Sequence, residues 1–173
     1  MFLGQEHQIL DWFYIHFTEN NGMAFGMEFG GDWGKLALSL FRIVFVGLIA
    51  SYLYKLVQKE ADKILITCLS LVLAGAIGNI IDGAVYGILF NDSYHQIAQI
   101  FPESGGYAPL FFGKVVDMFY FPLFKGYLPE WIPFWGGDYV VFFRPVFNIA
   151  DAAISVGVGI MVLFQKRVMK EIE

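Results

Sequence analysis

The sequence has few charged side chains. Lys, Arg, Asp and Glu make up 16% of its 173 residues, whereas soluble domains carry about 25%. Its net charge is −5, and no cluster of basic residues is present, which argues against a nucleic-acid-binding surface. Because 57% of the residues are hydrophobic, we expect an integral membrane protein formed by one domain over residues 1–173.

Cysteine and histidine are also scarce. A single cysteine, Cys68, excludes a disulfide framework and a cysteine-based metal site. The three histidines, His7, His16 and His95, are scattered along the chain without metal-ligand spacing or a neighbouring serine nucleophile. We therefore expect neither a metal ion nor another cofactor.

Long apolar runs are what the sequence does contain. A membrane-spanning helix needs about 20 mostly apolar residues, and three runs qualify: 36–57, 64–90 and 145–165. They predict a mainly α membrane protein with a bundle of three transmembrane helices. Arg42 interrupts the first run, where its side chain either reaches the membrane surface or pairs inside the bundle.

The positions of basic residues predict the orientation. The link between the first two runs holds Lys55, Lys59 and Lys63, and the C-terminal tail is also basic. Since basic loops stay in the cytoplasm, we expect residues 1–35 and 91–144 on the outer face. Segment 1–35 alternates aromatic and polar residues and predicts short strands. Segment 91–144 is rich in proline and aromatic residues and predicts an interfacial loop or helix, either an anchor or a lid over a lipid-like substrate.

Three aspartates lie in or beside the apolar runs: Asp82, Asp117 and Asp151. Ionisable groups in such positions are costly and indicate functional sites. Asn79 and Asn148 precede two of them by three residues, a spacing that puts each amide on the helix face of a carboxylate. Two carboxyls brought together in a low dielectric share one proton, as in aspartic proteases. The alternative is that these residues form structural polar contacts between helices.

Four sequence blocks, in this order, resemble the signal peptidase II family, the bacterial lipoprotein signal peptidases. The blocks are NNGMAFG (Asn20–Gly26), GAIGNIID (Gly75–Asp82), VVDMF (Val115–Phe119) and FNIADAAISVG (Phe147–Gly157). The resemblance implies an aspartyl intramembrane protease.

The resemblance also implies roles for individual residues. Asp117 and Asp151 correspond to the family's catalytic pair. The supporting and substrate-contacting positions fall on Asn79, Asp82, Asn148, Asn21 and Gly22. An alternative pairing replaces Asp117 by Asp82.

The implied reaction is removal of the signal peptide from diacylglyceryl-modified prolipoproteins, cut just before the lipidated cysteine. It would be carried out by a monomer in the bacterial inner membrane, in contact with membrane lipids and with its active site near the outer face. The competing hypothesis is a non-catalytic small membrane protein, transporter-like or a degenerate paralogue, whose aspartates bind ions or brace helices.

Three features depart from the family pattern. The family has four spans, the first carrying a DQxxK-like motif, and this sequence begins after that helix, so we expect a truncated or internally initiated form. Gly83 occupies the place of the family's usual arginine. Residues 91–114 form an insertion that we expect on the outer face.

Overall fold

The computed structural model describes residues 1–22 and 31–170. Four helices are present in this part of the chain: α1 Gly31–Gln58, α2 Lys63–Leu89, α3 Ile149–Leu163 and α4 Gln165–Met169. Six strands accompany them: β1 Glu6–Leu10, β2 Phe13–Asn20, β3 Val115–Tyr120, β4 Phe124–Tyr127, β5 Tyr139–Phe142 and β6 Val146–Phe147. The fold is therefore mixed helix and strand.

The chain divides into two compact units. The strand unit comprises Met1–Glu19, Ser93–Ala98 and Val116–Asn148. The helical unit comprises the described residues of Asn20–Asp92, Gln99–Val115 and Ile149–Glu173.

Two helices of the helical unit are long and apolar enough to cross a membrane. α1 has 28 residues and α2 has 27, with mean hydropathies of 2.1 and 2.3 over their most apolar windows. At a rise of 1.5 Å per residue each is about 40 Å long, more than the roughly 30 Å of hydrocarbon. α1 begins at Gly31, earlier than predicted, and α2 agrees with the prediction within one residue at each end.

The third predicted span is shorter than expected. α3 has 15 residues, or about 22 Å, because the helix begins only at Ile149: Val146 and Phe147 form β6, and Pro145 and Asn148 also lie outside the helix. A break at Phe164 separates α3 from the five residues of α4.

Glycines allow α2 and α3 to pack closely. A Cβ on Gly75 would collide with the carbonyl of Ala150, and one on Gly157 would lie 2.7 Å from the carbonyl oxygen of Cys68. Small residues at such positions let helix backbones approach each other in membranes, where packing drives association. The start of α3, which carries Asp151, is thereby held against the middle of α2.

The insertion packs on the end of α2. Four of its backbone N–H groups donate to carbonyls between residues 84 and 90: Phe101 to Leu89, Tyr107 to Phe90, Ala108 to Gly87 and Phe111 to Ala84, at 2.7, 2.9, 2.9 and 3.1 Å. The last carbonyls of a helix lack partners within the helix. This part of the insertion therefore caps α2 with backbone hydrogen bonds.

The strand unit is built on a sheet of order β1-β2-β3-β6. Aromatic side chains pack together on it: Trp12, Phe13, Phe119, Phe121 and Phe147, with the rings of Phe13 and Phe121 stacked at 4.7 Å. The strands predicted in residues 1–35 are confirmed by β1 and β2. For residues 91–144, the prediction of an interfacial loop or helix is wrong in one respect, because this fully described segment contains β3, β4 and β5 and no helix. β-branched and aromatic residues such as those of YVVF favour strand pairing.

In the helical unit, further contacts lie where α4 meets the start of α2. Leu56, Leu65 and Val168 form a buried apolar cluster, and the Asp62 carboxylate caps α2 and accepts a 2.5 Å hydrogen bond from Arg167 Nε. Burial alone would raise the pKa of the Asp62 carboxyl, but the hydrogen bonds from Ile64 N–H and Arg167, with the Arg167 charge, lower this pKa overall.

Candidate active site

Asp151 lies in the first turn of α3 and is half-buried. Its Oδ1 accepts a hydrogen bond of 2.9 Å from Asn79 Nδ2 on α2. A carboxylate inside an apolar helix pair is costly without such a partner, and the close packing of α2 on α3 brings the amide to it. Arg42 of α1 is near enough for its charge to interact with that of Asp151.

Asp117 lies on β3, in the strand unit, and is buried, with a relative solvent exposure of 5%. Its Oδ1 accepts a hydrogen bond of 2.8 Å from Asn148 Nδ2, and Asn148 is itself buried. Asn148 directly follows β6, which pairs with β3 through Phe119 and Phe147. The sheet register thus fixes the amide beside the carboxylate.

The two asparagines have partners that their spacing did not predict. Each was expected beside the aspartate three residues later, whereas the structure shows each one donating to a carboxylate on a different element. The i, i+3 rule describes neighbours on one helix, and Asn148 precedes α3 instead of lying within it.

Asp82 lies on α2, one turn after Asn79, and is half-buried. Its carboxylate takes part in a hydrogen bond with the side chain of Tyr86 on the next turn of the same helix. The interaction shown for Asp82 is therefore a local one, with a tyrosine on its own helix.

Asn21 and Gly22 belong to a tight turn at the start of the helical unit. Gly22 has a φ of +85°, which favours glycine, and its N–H donates to Asn20 Oδ1 at 2.6 Å. Lys35 Nζ donates to Asn21 Oδ1 at 2.8 Å, and Arg42 donates to the Gly22 carbonyl. The rest of the NNGMAFG block, Met23 to Gly26, lies outside the described residues.

Sequence reasoning passed over Lys35 and gave Arg42 no place in the site. The sequence does mark Arg42 as unusual, because it is the one charged residue between Lys35 and Lys55. It lines a small pocket of the helical unit together with Ser39, Asn79, Ile80, Gly83, Ala84 and Phe111. Among the described residues, no group of three or more His, Cys, Asp or Glu side chains could hold a metal ion.

Comparison with known protein families decides the identity of the chain. A family model described as signal peptidase (SPase) II matches residues 1–166. This chain belongs to the signal peptidase II family. It is therefore a protease, as the four sequence blocks predicted, and the comparisons favour this function over the non-catalytic alternative.

Relatives agree with this assignment. Two proteins from Porphyromonas gingivalis strains, both named lipoprotein signal peptidase, are 54% identical over 168 residues, which is 96% of this chain and 73% of theirs. One from Amoebophilus asiaticus with the same name is 40% identical over 93% of this chain and 64% of its own length.

Solved structures support the fold. A bacterial membrane enzyme determined by the in meso method at 2.3 Å has a TM-score of 0.57 and 22% identity. The match covers 99% of this chain and 77% of that one. The two long apolar helices, together with the family, support the prediction of a membrane protein.

Proposed function

We propose that this chain is an aspartyl endopeptidase that removes the signal peptide from diacylglyceryl-modified prolipoproteins, cutting just before the lipidated cysteine. Its relatives at 54% identity are named lipoprotein signal peptidases. The observation that carries the mechanism is the pair of aspartates, Asp117 and Asp151, each accepting a hydrogen bond from an asparagine amide.

In this proposal Asp117 and Asp151 act as one acid–base pair. The ionised carboxylate takes a proton from a water molecule, which attacks the scissile carbonyl. The protonated carboxyl donates to the carbonyl oxygen, and a proton then passes to the leaving amine as the peptide bond breaks. The mechanism requires the two carboxylates to come together at the substrate with one proton between them, since two carboxylates brought together in a low dielectric do not both ionise.

The chain supports this pairing through its connectivity. Asn148 hydrogen-bonds to Asp117 and lies three residues before Asp151. Three residues span at most about 11 Å, so Asp151 is close along the chain to a residue bound to Asp117. Asn79 and Asn148 then act as supports that orient the two carboxylates, and Asp82 is a further supporting residue on α2.

The position of Asp151 suits a lipid-anchored substrate. It lies at the first turn of an apolar helix, which in this proposal begins near the outer membrane surface. A diacylglyceryl cysteine in the outer leaflet would present the preceding peptide bond at the same depth. We place the site at the outer face of the bacterial cytoplasmic membrane, with α1, α2 and α3–α4 as three spans of a monomeric, single-domain peptidase. The turn at Asn21 and Gly22 would contact the substrate backbone.

The test uses two synthetic peptides of one signal-peptide sequence, with and without a diacylglyceryl group on the cysteine. The protein in lipid–detergent micelles should cleave the lipidated peptide at the bond before the cysteine, as read by mass spectrometry, and leave the other intact. Equal cleavage of both peptides, or of neither, would contradict the proposed substrate class.

A further inference from the structure

Arg42 is a charged residue in an apolar helix whose side chain turns toward the protein. Its neighbours on α1, Phe41, Val44 and Phe45, are at least half exposed, at 65%, 62% and 50%, whereas Arg42 is half-buried. Placing arginine in hydrocarbon is costly unless it finds partners inside the protein. Its partners therefore indicate its role.

The first partner is the turn at the start of the helical unit. Arg42 Nη2 donates to the Gly22 carbonyl. A Cβ on Gly22 would lie 2.6 Å from Arg42 Nη1, so a larger residue here would displace the guanidinium from its present position. The side chain of Arg42 and the backbone of Gly22 are thus matched to each other.

A second cation of α1 holds the same turn. Lys35 lies seven residues before Arg42, which is two helical turns, and so shares its face of the helix. Its Nζ donates at 2.8 Å both to Asn21 Oδ1 and to the Phe112 carbonyl. Consecutive residues of the turn, Asn21 and Gly22, are therefore each bound by a cation from α1.

The second partner of Arg42 is the carboxylate of α3. The charges of Arg42 and Asp151 interact, and Arg42 lines a pocket with Asn79, the residue that donates to Asp151. The guanidinium carries five N–H donors in a fixed plane and keeps its charge in proteins. One side chain thus donates to the Gly22 carbonyl and carries a positive charge that interacts with Asp151.

We propose that Arg42 is a positioning residue that couples the Asn20–Gly22 turn to Asp151, fixing the carboxylate for chemistry while it holds the turn for substrate. This inference rests on the proposed function, because Asp151 is one of its two catalytic carboxylates. The positive charge is needed for turnover, and the hydrogen bond to Gly22 is needed to place the turn.

The experiment compares Arg42→Gln, which keeps a donor and loses the charge, with Arg42→Lys, which keeps the charge and loses the planar fork. Arg144→Gln, at an exposed arginine outside the helices, is the matched control. Removing one preorganised electrostatic group typically costs about 100- to 1,000-fold in kcat. We expect Arg42→Gln to lose at least about 30-fold in kcat, Arg42→Lys to recover most of that loss with a raised KM, and Arg144→Gln to match the unmodified protein.

The outcomes separate this inference from the proposed function. If the unmodified protein does not cleave the lipidated peptide, the proposed function fails. If the unmodified protein cleaves the peptide and Arg42→Gln retains its kcat, the proposed role of Arg42 is wrong. It is also wrong if Arg42→Gln and Arg42→Lys lower kcat equally.

A second variant covers the case in which Arg42→Gln does not fold. Gly22→Ala leaves the arginine in place and displaces its guanidinium, and we expect at least about a tenfold loss of activity. Gly4→Ala, at a glycine with a similar φ of +80° where a Cβ meets nothing within 4 Å, is the control for backbone strain. An active Gly22→Ala protein would overturn the proposed coupling.

Discussion

Each proposed catalytic aspartate accepts a hydrogen bond from an asparagine, and a different kind of packing brings each pair together. Asp117 and Asn148 are brought together by sheet register, whereas Asp151 and Asn79 meet through glycine-mediated helix packing. The sequence identified all four residues, because polar side chains are conspicuous in apolar runs. It did not predict the carboxylates to which the two asparagines donate, because local spacing carries no information on which distant element lies opposite.

Asn148→Ala tests the support of Asp117. Removing a partner from a buried polar group costs about 1–3 kcal/mol, and Asn148 is only 8% exposed. We expect lower thermal stability and a loss of about 10- to 100-fold in kcat, since 1.4 kcal/mol corresponds to a factor of ten. Gln8→Ala, at an exposed residue of β1, is the control, and an unchanged kcat in Asn148→Ala would show that this hydrogen bond does not matter for catalysis.

At the scale of elements, the two long helices were predictable and the outer segments were less so. α2 matches its predicted bounds because its apolar run ends at polar residues, and α1 begins early because Gly31–Lys35 continue the helix without being strongly apolar. The strands within 91–144 were missed, since proline and aromatic residues suit both loops and short strands. That the insertion caps α2 follows from backbone bonds, which leave no trace in side-chain patterns.

Paired glycines on α3 test the packing of the helices. Gly157→Ala would place a Cβ 2.7 Å from the Cys68 carbonyl oxygen, whereas a Cβ on Gly159 meets nothing within 4 Å. Overpacking costs about 1–3 kcal/mol, so Gly157→Ala should lower the melting temperature in detergent. Gly159→Ala should leave it equal or higher, since alanine favours helix by about 1 kcal/mol. Equal melting temperatures for both variants would contradict this packing.

The contact between Asp62 and Arg167 predicts a pH dependence. Because the pKa of Asp62 is lowered in the folded state, its stabilisation is present above the unfolded pKa of about 3.9 and is lost as pH falls through the lower folded value. Arg167→Gln should therefore be less stable than the unmodified protein at pH 7, with the difference shrinking below about pH 4. Lys170→Gln is the control, and a difference that persists at low pH would exclude this ion pair as its cause.

The whole molecule is a membrane protein of the signal peptidase II family, and its orientation is a further prediction. Basic residues between α1 and α2 and in the tail favour the cytoplasm. Exposed aromatic side chains of the β4–β5 hairpin favour the outer membrane surface, with Trp131 80% and Phe134 99% exposed.

Cysteine labelling tests that orientation, because the chain has a single, buried cysteine. In a Cys68→Ala background, Lys59→Cys should react with a membrane-impermeant maleimide only in inverted vesicles. Trp131→Cys should react in intact spheroplasts. The reverse pattern would place the site on the cytoplasmic side and contradict the proposed access of lipoprotein substrates.

The most direct test of the proposed catalytic pair is the cleavage rate of the lipidated peptide by single aspartate variants. Asp117→Asn and Asp151→Asn should each fold, judged by size exclusion and melting temperature, and lose at least about 1,000-fold in kcat, as loss of one member of a catalytic unit does. Asp138→Asn, at an exposed aspartate, should keep full activity, and Asp82→Asn should keep much more than either member of the pair. Full turnover by Asp117→Asn or by Asp151→Asn would contradict the account.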